Sequence, residues 1–124
     1  MNSLKDLYIT KDELREIYGL DMEDFAVDET TIDIIINLCV GKAITTIYKL
    51  NDNITSDKDI YDLIVNNGKE LSFKKLQYQV IYNYLYISSN DPINDSIFDI
   101  IAYELKLCKI NGIQKGVNVK WQIN

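Results

Sequence analysis

The chain of 124 residues contains no histidine, and it has only one proline, five glycines and two cysteines. Without histidine it lacks the commonest general base and metal ligand. The sequence also shows no glycine-rich phosphate-binding loop, no nucleophile elbow and no cysteine pair with metal-ligand spacing. We therefore expect a protein that is not an enzyme and that uses no catalytic residue, metal or cofactor.

The two cysteines, Cys39 and Cys108, each fall within an apolar helical pattern. A free thiol in such a place usually behaves as a small buried hydrophobe. We expect two reduced thiols rather than a disulfide, as in an intracellular protein. No run of about 18 consecutive apolar residues is available to span a bilayer, and acids stand where a signal peptide needs its apolar core. These patterns favour a cytoplasmic protein without membrane contact.

Charge is unevenly distributed along the chain. The net charge is −6, which argues against a general nucleic-acid binder. Nine acids lie between residues 12 and 33, whereas every charged side chain after Glu104 is a lysine. The acids lack the spacing of a calcium loop, so they are interpreted as helix-start and solvated residues. The two poles are complementary and would suit head-to-tail contact between copies of the chain.

A long amphipathic helix from Asp28 to Leu50 is the strongest pattern in the sequence. Its apolar residues recur three and four positions apart, which keeps one face of the helix apolar. At about 1.5 Å per residue it would be roughly 33 Å long, enough to cross a small domain. Gly41 is unfavourable inside a helix and predicts a close crossing by another helix. Shorter helical patterns cover residues 11–18, 57–64, 72–89 and 96–109.

The pattern over residues 72–89 is apolar around most of the helix and carries a row of tyrosines. Tyr78, Tyr82 and Tyr86 are spaced four apart, so they share one face of the helix. Tyrosine supplies a large contact area with a polar tip and is enriched at protein interfaces. Packing in the core and covering by a partner both remain open for this row.

The last residues change from a helical period to a period of two. Apolar side chains alternate with polar ones over residues 117–123, which is typical of a strand with one buried face. A single strand cannot stand alone, so it must add to a partner, pair with a copy or lie against the helices. The sequence thus predicts an all-α bundle of four to five helices around one long central helix in residues 1–112, followed by an extended, strand-like arm in residues 113–124 (the C-terminal arm).

The order, length and residue composition of the predicted helices resemble those of a known protein family. The segments TKDELREIYGLD, DETTIDIIINLCVGKAITTIYKL and LQYQVIYNYLYIS, separated by an acidic turn and a loop, look like the head-tail connector (adaptor) proteins of tailed bacteriophages. The resemblance covers about residues 10 to 110. It implies a structural subunit that assembles with copies of itself as a ring, commonly dodecameric, beneath the portal protein. Such a ring extends the DNA channel and docks the next tail or neck protein.

The resemblance also implies a place and a set of contacts. The subunit would lie in the neck of the virion after assembly in the bacterial cytoplasm, and it would meet DNA only as DNA passes through the channel. Family members grip the portal with terminal or loop extensions, and by position the C-terminal arm could act in this way. The expected partner-binding residues combine this arm with the tyrosine row: Val117, Val119, Lys120, Trp121, Ile123, Tyr78, Tyr82 and Tyr86.

A second hypothesis comes from the acids alone. A small acidic regulatory or inhibitor protein would bind a basic partner through the first third of the chain, around Asp21, Glu23 and Asp24. Such binding would weaken steeply with ionic strength and on neutralisation of these three side chains.

Removal of residues 113–124 should leave the helical fold intact but abolish assembly, because these residues are interpreted as an arm that packs on a partner. Far-ultraviolet circular dichroism and sedimentation of the truncated chain check this expectation. Loss of helical signal in the truncated chain would show that the segment belongs to the core.

Overall fold

The computed structural model describes residues 2–86 and 96–108, and these residues form a helical bundle without a β-strand. The all-α expectation is thereby confirmed. The C-terminal arm, with Val117, Val119, Lys120, Trp121 and Ile123, lies outside the described residues. Five α-helices and two 3-10 turns follow one another in this order: the first turn Leu4–Leu7, α1 Lys11–Tyr18, the second turn Met22–Asp24, α2 Glu29–Leu50, α3 Asp57–Asn66, α4 Glu70–Tyr86 and α5 Ser96–Glu104.

Helix α2 is the spine of the bundle, as expected. It begins after Asp28, whose Oδ1 accepts a hydrogen bond from the Thr30 N–H at 3.2 Å. It packs mainly on α4, and also on α5 and α3. The buried side of α2 consists of Ile32, Ile36, Cys39, Val40, Ala43, Thr46 and Ile47.

The outer side of α2 departs from the sequence expectation of a single apolar face. Ile34 and Leu38 are 53% and 62% exposed. Gly41 shares their side of the helix, and a Cβ added there would meet no atom of the described residues within 4 Å. None of the described helices therefore makes the close crossing predicted at Gly41, because the helices that pack on α2 use its opposite side.

By length and composition alone, α2 also satisfies the requirements for a membrane-spanning helix. Core helices of soluble proteins satisfy the same requirements, so the pattern by itself assigns no location. In this bundle the side chains of Ile32, Val40 and Ile47 are buried against the other helices.

The helix ends show how local sequence limits each element. Thr10 Oγ1 accepts from the Glu13 N–H at 3.1 Å while the Glu13 carboxylate accepts from the Thr10 N–H at 3.0 Å. These reciprocal bonds form a capping box, which the Thr-x-x-Glu spacing of residues 10–13 allows at the start of α1. Gly19 ends α1 in the left-handed conformation, with φ of 67°, which glycine adopts without steric cost.

Helix α5 ends at Glu104, five residues before the end that the sequence predicts. Lys106 takes the left-handed conformation with φ of 59°, and the Leu107 N–H donates to the Ala102 carbonyl at 2.9 Å. Together with the bond from the Lys106 N–H to the Tyr103 carbonyl at 3.0 Å, this is a Schellman end in which lysine replaces the usual glycine. The turn brings Leu107 into the core, where it is buried. The burial of Leu107 offsets the steric cost of the left-handed backbone conformation at Lys106. A local sequence pattern does not reveal this turn, because it depends on the burial of Leu107.

A buried glutamine joins the beginning of the chain to α4. Gln77 is fully buried, and its Oε1 accepts from the Ile9 N–H at 2.7 Å. Its Nε2 donates to the carbonyls of Leu7 at 3.0 Å and Phe73 at 3.2 Å. Leu4, Leu7 and Ile9 are all buried. The segment 2–10 therefore contributes three side chains to the core, and all three polar bonds of Gln77 are made where water is excluded.

A buried asparagine performs a similar role at the C-terminal end of α2. Asn51 is buried, and its Nδ2 donates to the carbonyls of Ile47 at 2.8 Å and Leu107 at 3.3 Å. The Lys49 ammonium lies 2.8 Å from Asp99 Oδ1, which ties α2 to α5. The described part of the chain consequently finishes beside the C-terminal end of α2.

Replacing Gln77 with leucine should lower the free energy of unfolding by about 2–4 kcal/mol, because it leaves the buried Ile9 N–H and Leu7 carbonyl without partners at about 1–3 kcal/mol each. Gln79→Leu is the matched control, since Gln79 lies on the same helix but is only half-buried, and it should change stability by less than about 0.5–1 kcal/mol. Urea unfolding followed by circular dichroism measures both. Equal effects of the two substitutions would contradict the role assigned to Gln77.

Candidate partner-binding surface

Five aromatic rings from three parts of the chain form a continuous row, which we call the aromatic row. Tyr18 stacks on Tyr78, with ring centroids 4.0 Å apart and an angle of 6° between the planes. Along α4 the row continues from Tyr78 to Tyr82 at 6.0 Å and from Tyr82 to Tyr86 at 4.7 Å. Phe25 closes it with an edge contact to Tyr86 at 5.2 Å.

The Tyr18 end of the row is fixed by contacts between α1 and α4. Tyr18 is the last residue of α1, and the Lys74 ammonium of α4 forms an ion pair with the Glu13 carboxylate of α1. Tyr78 directly follows Gln77, which anchors the segment leading into α1. These contacts place Tyr18 flat against Tyr78.

The Phe25 end of the row lies beside the beginning of α2. Phe25 follows the second 3-10 turn. The Lys11 ammonium lies 3.3 Å from Glu23 of that turn and also pairs with Glu29, the first residue of α2. This double ion pair holds the turn against the first turn of α2, where Phe25 can meet Tyr86.

The two ends of the row differ in exposure. Tyr18 and Tyr78 are half-buried, whereas Tyr82 and Tyr86 are 39% and 54% exposed and Phe25 is 37% exposed. Burial raises the pKa of the Tyr18 and Tyr78 hydroxyls above their ordinary value. Both rings therefore stay uncharged at neutral pH. Packing in the core therefore holds for Tyr78, which lies at the edge of the core. Tyr82 and Tyr86 face outward, and covering of these two by a partner stays a prediction.

The structure brings together the three tyrosines that the sequence singles out, and it adds two rings that sequence reasoning missed. Tyr18 lies 60 positions before Tyr78 in the chain, and no local periodicity connects them. The four large apolar residues between α1 and α2 look alike in the sequence, but the structure divides them. Leu20 and Met22 are buried, whereas Phe25 is 37% exposed and Val27 is 92% exposed.

The acids proposed to meet a basic partner differ in what they do. Asp21 Oδ1 accepts from the Glu23 N–H at 2.9 Å, so it caps the second 3-10 turn. Glu23 is paired with Lys11. Asp24 is exposed beside Phe25. Two of the three carboxylates therefore already have partners within the fold.

The two thiols lie in apolar surroundings and form no disulfide, as expected. Burial raises the pKa of Cys39 to about 11. Burial and the nearby charge of Asp99 raise the pKa of Cys108 to about 12. Both thiols are therefore protonated and poorly nucleophilic at neutral pH. Within residues 2–86 and 96–108, no three His, Cys, Asp or Glu side chains lie close enough together to hold a metal ion.

Comparison of the chain with protein-family models, with curated proteins and with solved structures finds no match. The aromatic row is thus assigned as the candidate site on its own geometry.

Tyr78→Leu should lower the free energy of unfolding by about 1–2 kcal/mol, because it removes the stack on Tyr18 and part of a buried ring. Tyr86→Leu should change it by less than about 0.5 kcal/mol, since more than half of that side chain is exposed. Urea unfolding of the two variants checks the difference. A larger loss for Tyr86 than for Tyr78 would show that the outer end of the row is structural.

Proposed function

We propose that the chain is a structural head-tail connector subunit of a tailed bacteriophage, which assembles as a ring beneath the portal protein. The proposal is supported by the agreement between the resembling segments and the order of helices α1 to α4, and by the all-helical fold. It assigns the protein no catalytic activity. Its work is to hold other proteins in register around the DNA channel.

The observation that carries the proposal is the exposed aromatic row. Tyrosine and other large aromatic residues dominate the energetic centres of protein interfaces. Tyr82, Tyr86 and Phe25 present such side chains together on one surface. The row is held in place by the Tyr18–Tyr78 stack and by the buried Gln77, so little conformational entropy is lost when a partner covers it.

The acidic first third of the chain supports a second candidate, a regulatory protein that binds a basic partner. Glu16, Asp24 and Asp33 are exposed, and among the described residues they take part in no ion pair. This candidate predicts that neutralising these three carboxylates weakens binding and that added salt does the same. Neutralising Asp21 instead would remove a cap as well as a charge, so it is a poorer test.

The purified chain should bind the portal protein encoded by the same genome and appear in electron micrographs as a ring on one face of the portal. The double variant Tyr82→Ser with Tyr86→Ser should reduce the bound amount at least about tenfold, since interface aromatics contribute about 2 kcal/mol or more. Pull-down and imaging with purified portal measure both effects.

Tyr84→Ser is the matched control for this experiment. Tyr84 lies on the same helix and is 44% exposed, but at about 100° per residue it points to a different side from Tyr82 and Tyr86. It should leave portal binding unchanged. Failure of the unmodified chain to bind portal would refute the connector proposal.

A further inference from the structure

The side of α2 that faces away from the bundle carries no charge over about four helical turns. We call this side the outer stripe, and its exposed residues are Thr30, Ile34, Asn37, Leu38, Gly41 and Thr45. At about 100° per residue, the charged Asp33 and Lys42 point to its two flanks. The solvated side of a surface helix normally carries charged residues. An uncharged side with two large exposed aliphatic residues therefore favours an apolar occupant.

The described chain ends beside the outer stripe. Cys108 lies close enough to Asp99 for that carboxylate to raise the pKa of its thiol. The same carboxylate lies 2.8 Å from the Lys49 ammonium. Lys49 follows Thr45, the last residue of the stripe, by four positions, so the two are neighbours on the surface of α2. The chain thus continues after Cys108 from the C-terminal end of the stripe.

Of the two internal or terminal stretches outside the described residues, the C-terminal arm has the composition that fits. Residues 87–95 contain two acids, and their aliphatic side chains are Ile87 and Ile93 alone. The arm has apolar side chains at the alternating positions Val117, Val119, Trp121 and Ile123. In an extended chain these four share one face, and Lys120 lies with the polar residues on the opposite face. The apolar face can pack on the stripe while Lys120 stays in water.

The lengths also fit. From Asn51 back to Ile34 the path along α2 is about 26 Å, at 1.5 Å per residue. The nine residues from Cys108 to Val117 reach about 30 Å when extended, so Val117 can be placed at either end of the stripe. Ile34 and Thr45 are about 17 Å apart along the helix, and the extended chain from Val117 to Ile123 covers roughly 20 Å.

The aromatic row is another exposed apolar surface within reach of the arm, but its borders are charged. Lys75 is exposed three positions before Tyr78, and the exposed carboxylates of Glu16 and Asp24 stand close to Tyr18 and Phe25 in the chain. Covering the row with apolar side chains would remove water from charges of both signs, which costs free energy. The outer stripe carries no such charge, and it adjoins the point where the arm begins.

Tethering favours the stripe of the same molecule over that of a second copy. A flexible tether of this length holds its end at an effective concentration on the order of millimolar. A second copy competes only when its own concentration approaches that value. The arm consequently meets its own stripe first.

We infer that the C-terminal arm packs along the outer stripe of α2 in its own chain, with Val117, Val119, Trp121 and Ile123 against Ile34 and Leu38. This contact belongs to the isolated subunit and does not depend on the connector function. If the arm grips a partner in the assembled state, it must first leave the stripe. The stripe is then uncovered only in the assembled subunit.

Trp121 is the only tryptophan in the chain, so its fluorescence reports directly on the arm. In the full chain its emission should lie at shorter wavelength than in the urea-unfolded chain, and it should not change with protein concentration. The double variant Ile34→Glu with Leu38→Glu should shift the emission toward that of the unfolded chain, because two charges then stand where apolar side chains pack.

Two variants serve as controls for the fluorescence experiment. Leu71→Glu introduces the same charge at a leucine of α4 that is 75% exposed, and it should leave the emission unchanged. The double variant Tyr82→Ser with Tyr86→Ser alters the aromatic row and should also leave it unchanged. All substituted residues are exposed, and circular dichroism together with urea unfolding confirms that each variant is folded.

A spin label shows directly which surface the arm meets. A cysteine introduced as Asn37→Cys on the stripe reacts selectively, because both native thiols are protonated at neutral pH. The label should broaden the indole N–H resonance of Trp121, whereas a label at Leu71→Cys should not. In a mixture of spin-labelled chain with unlabelled, nitrogen-15-enriched chain, the enriched indole resonance should stay sharp.

Three results would overturn the inference. Emission of the full chain at the wavelength of the unfolded chain would show that the arm does not pack on the helices. Emission that shifts with concentration, or broadening in the mixed sample, would place the arm on a second copy. Emission that responds to the tyrosine substitutions but not to Ile34→Glu with Leu38→Glu would place it on the aromatic row. Binding to portal is measured separately, so the connector proposal and this inference can fail independently.

Discussion

The bundle depends on one buried amide. Gln77 makes all its bonds in the core, and two of them hold the backbone of Leu7 and Ile9. Without this attachment the Ile9 N–H and the Leu7 carbonyl would be buried without a hydrogen-bond partner, which costs free energy. Because that segment leads directly into α1, the same amide sets where α1 lies on α4. The Tyr18–Tyr78 stack, one residue along α4 from Gln77, is its consequence at the surface.

A second buried amide, that of Asn51, holds the C-terminal end of α2. Asn51 binds the last turn of α2 to the Leu107 carbonyl, and the strained turn at Lys106 brings Leu107 into reach. The spine is therefore pinned near both of its ends, by Lys11 at the beginning and by Asn51 and the Lys49–Asp99 pair at the end.

Among the described residues, the aromatic row is the surface on which several large rings lie together and partly exposed. In the proposed ring, this is the surface that a partner would cover. The outer stripe of α2, with Ile34, Leu38 and the open position at Gly41, remains free of helices from its own described chain.

The sequence by itself determined the helices and most of their ends. The periodicity of α2, the capping box of Thr10 and Glu13, and the stop at Gly19 depend only on interactions between near neighbours, so a local pattern reveals them. It also placed Tyr78, Tyr82 and Tyr86 on one face, since positions four apart meet on any helix.

Only the tertiary structure decided the rest. The recruitment of Tyr18 and Phe25 into the row, the exposure of Phe25 and Val27, the open side of Gly41 and the early end of α5 all depend on contacts between residues far apart in the chain. Gln77 reads in the sequence as an ordinary polar position within a helix. Packing decides which side of α4 residues 4–9 cover, and therefore which polar side chain of α4 is buried and must be hydrogen-bonded. The local sequence around Gln77 carries no signal of this.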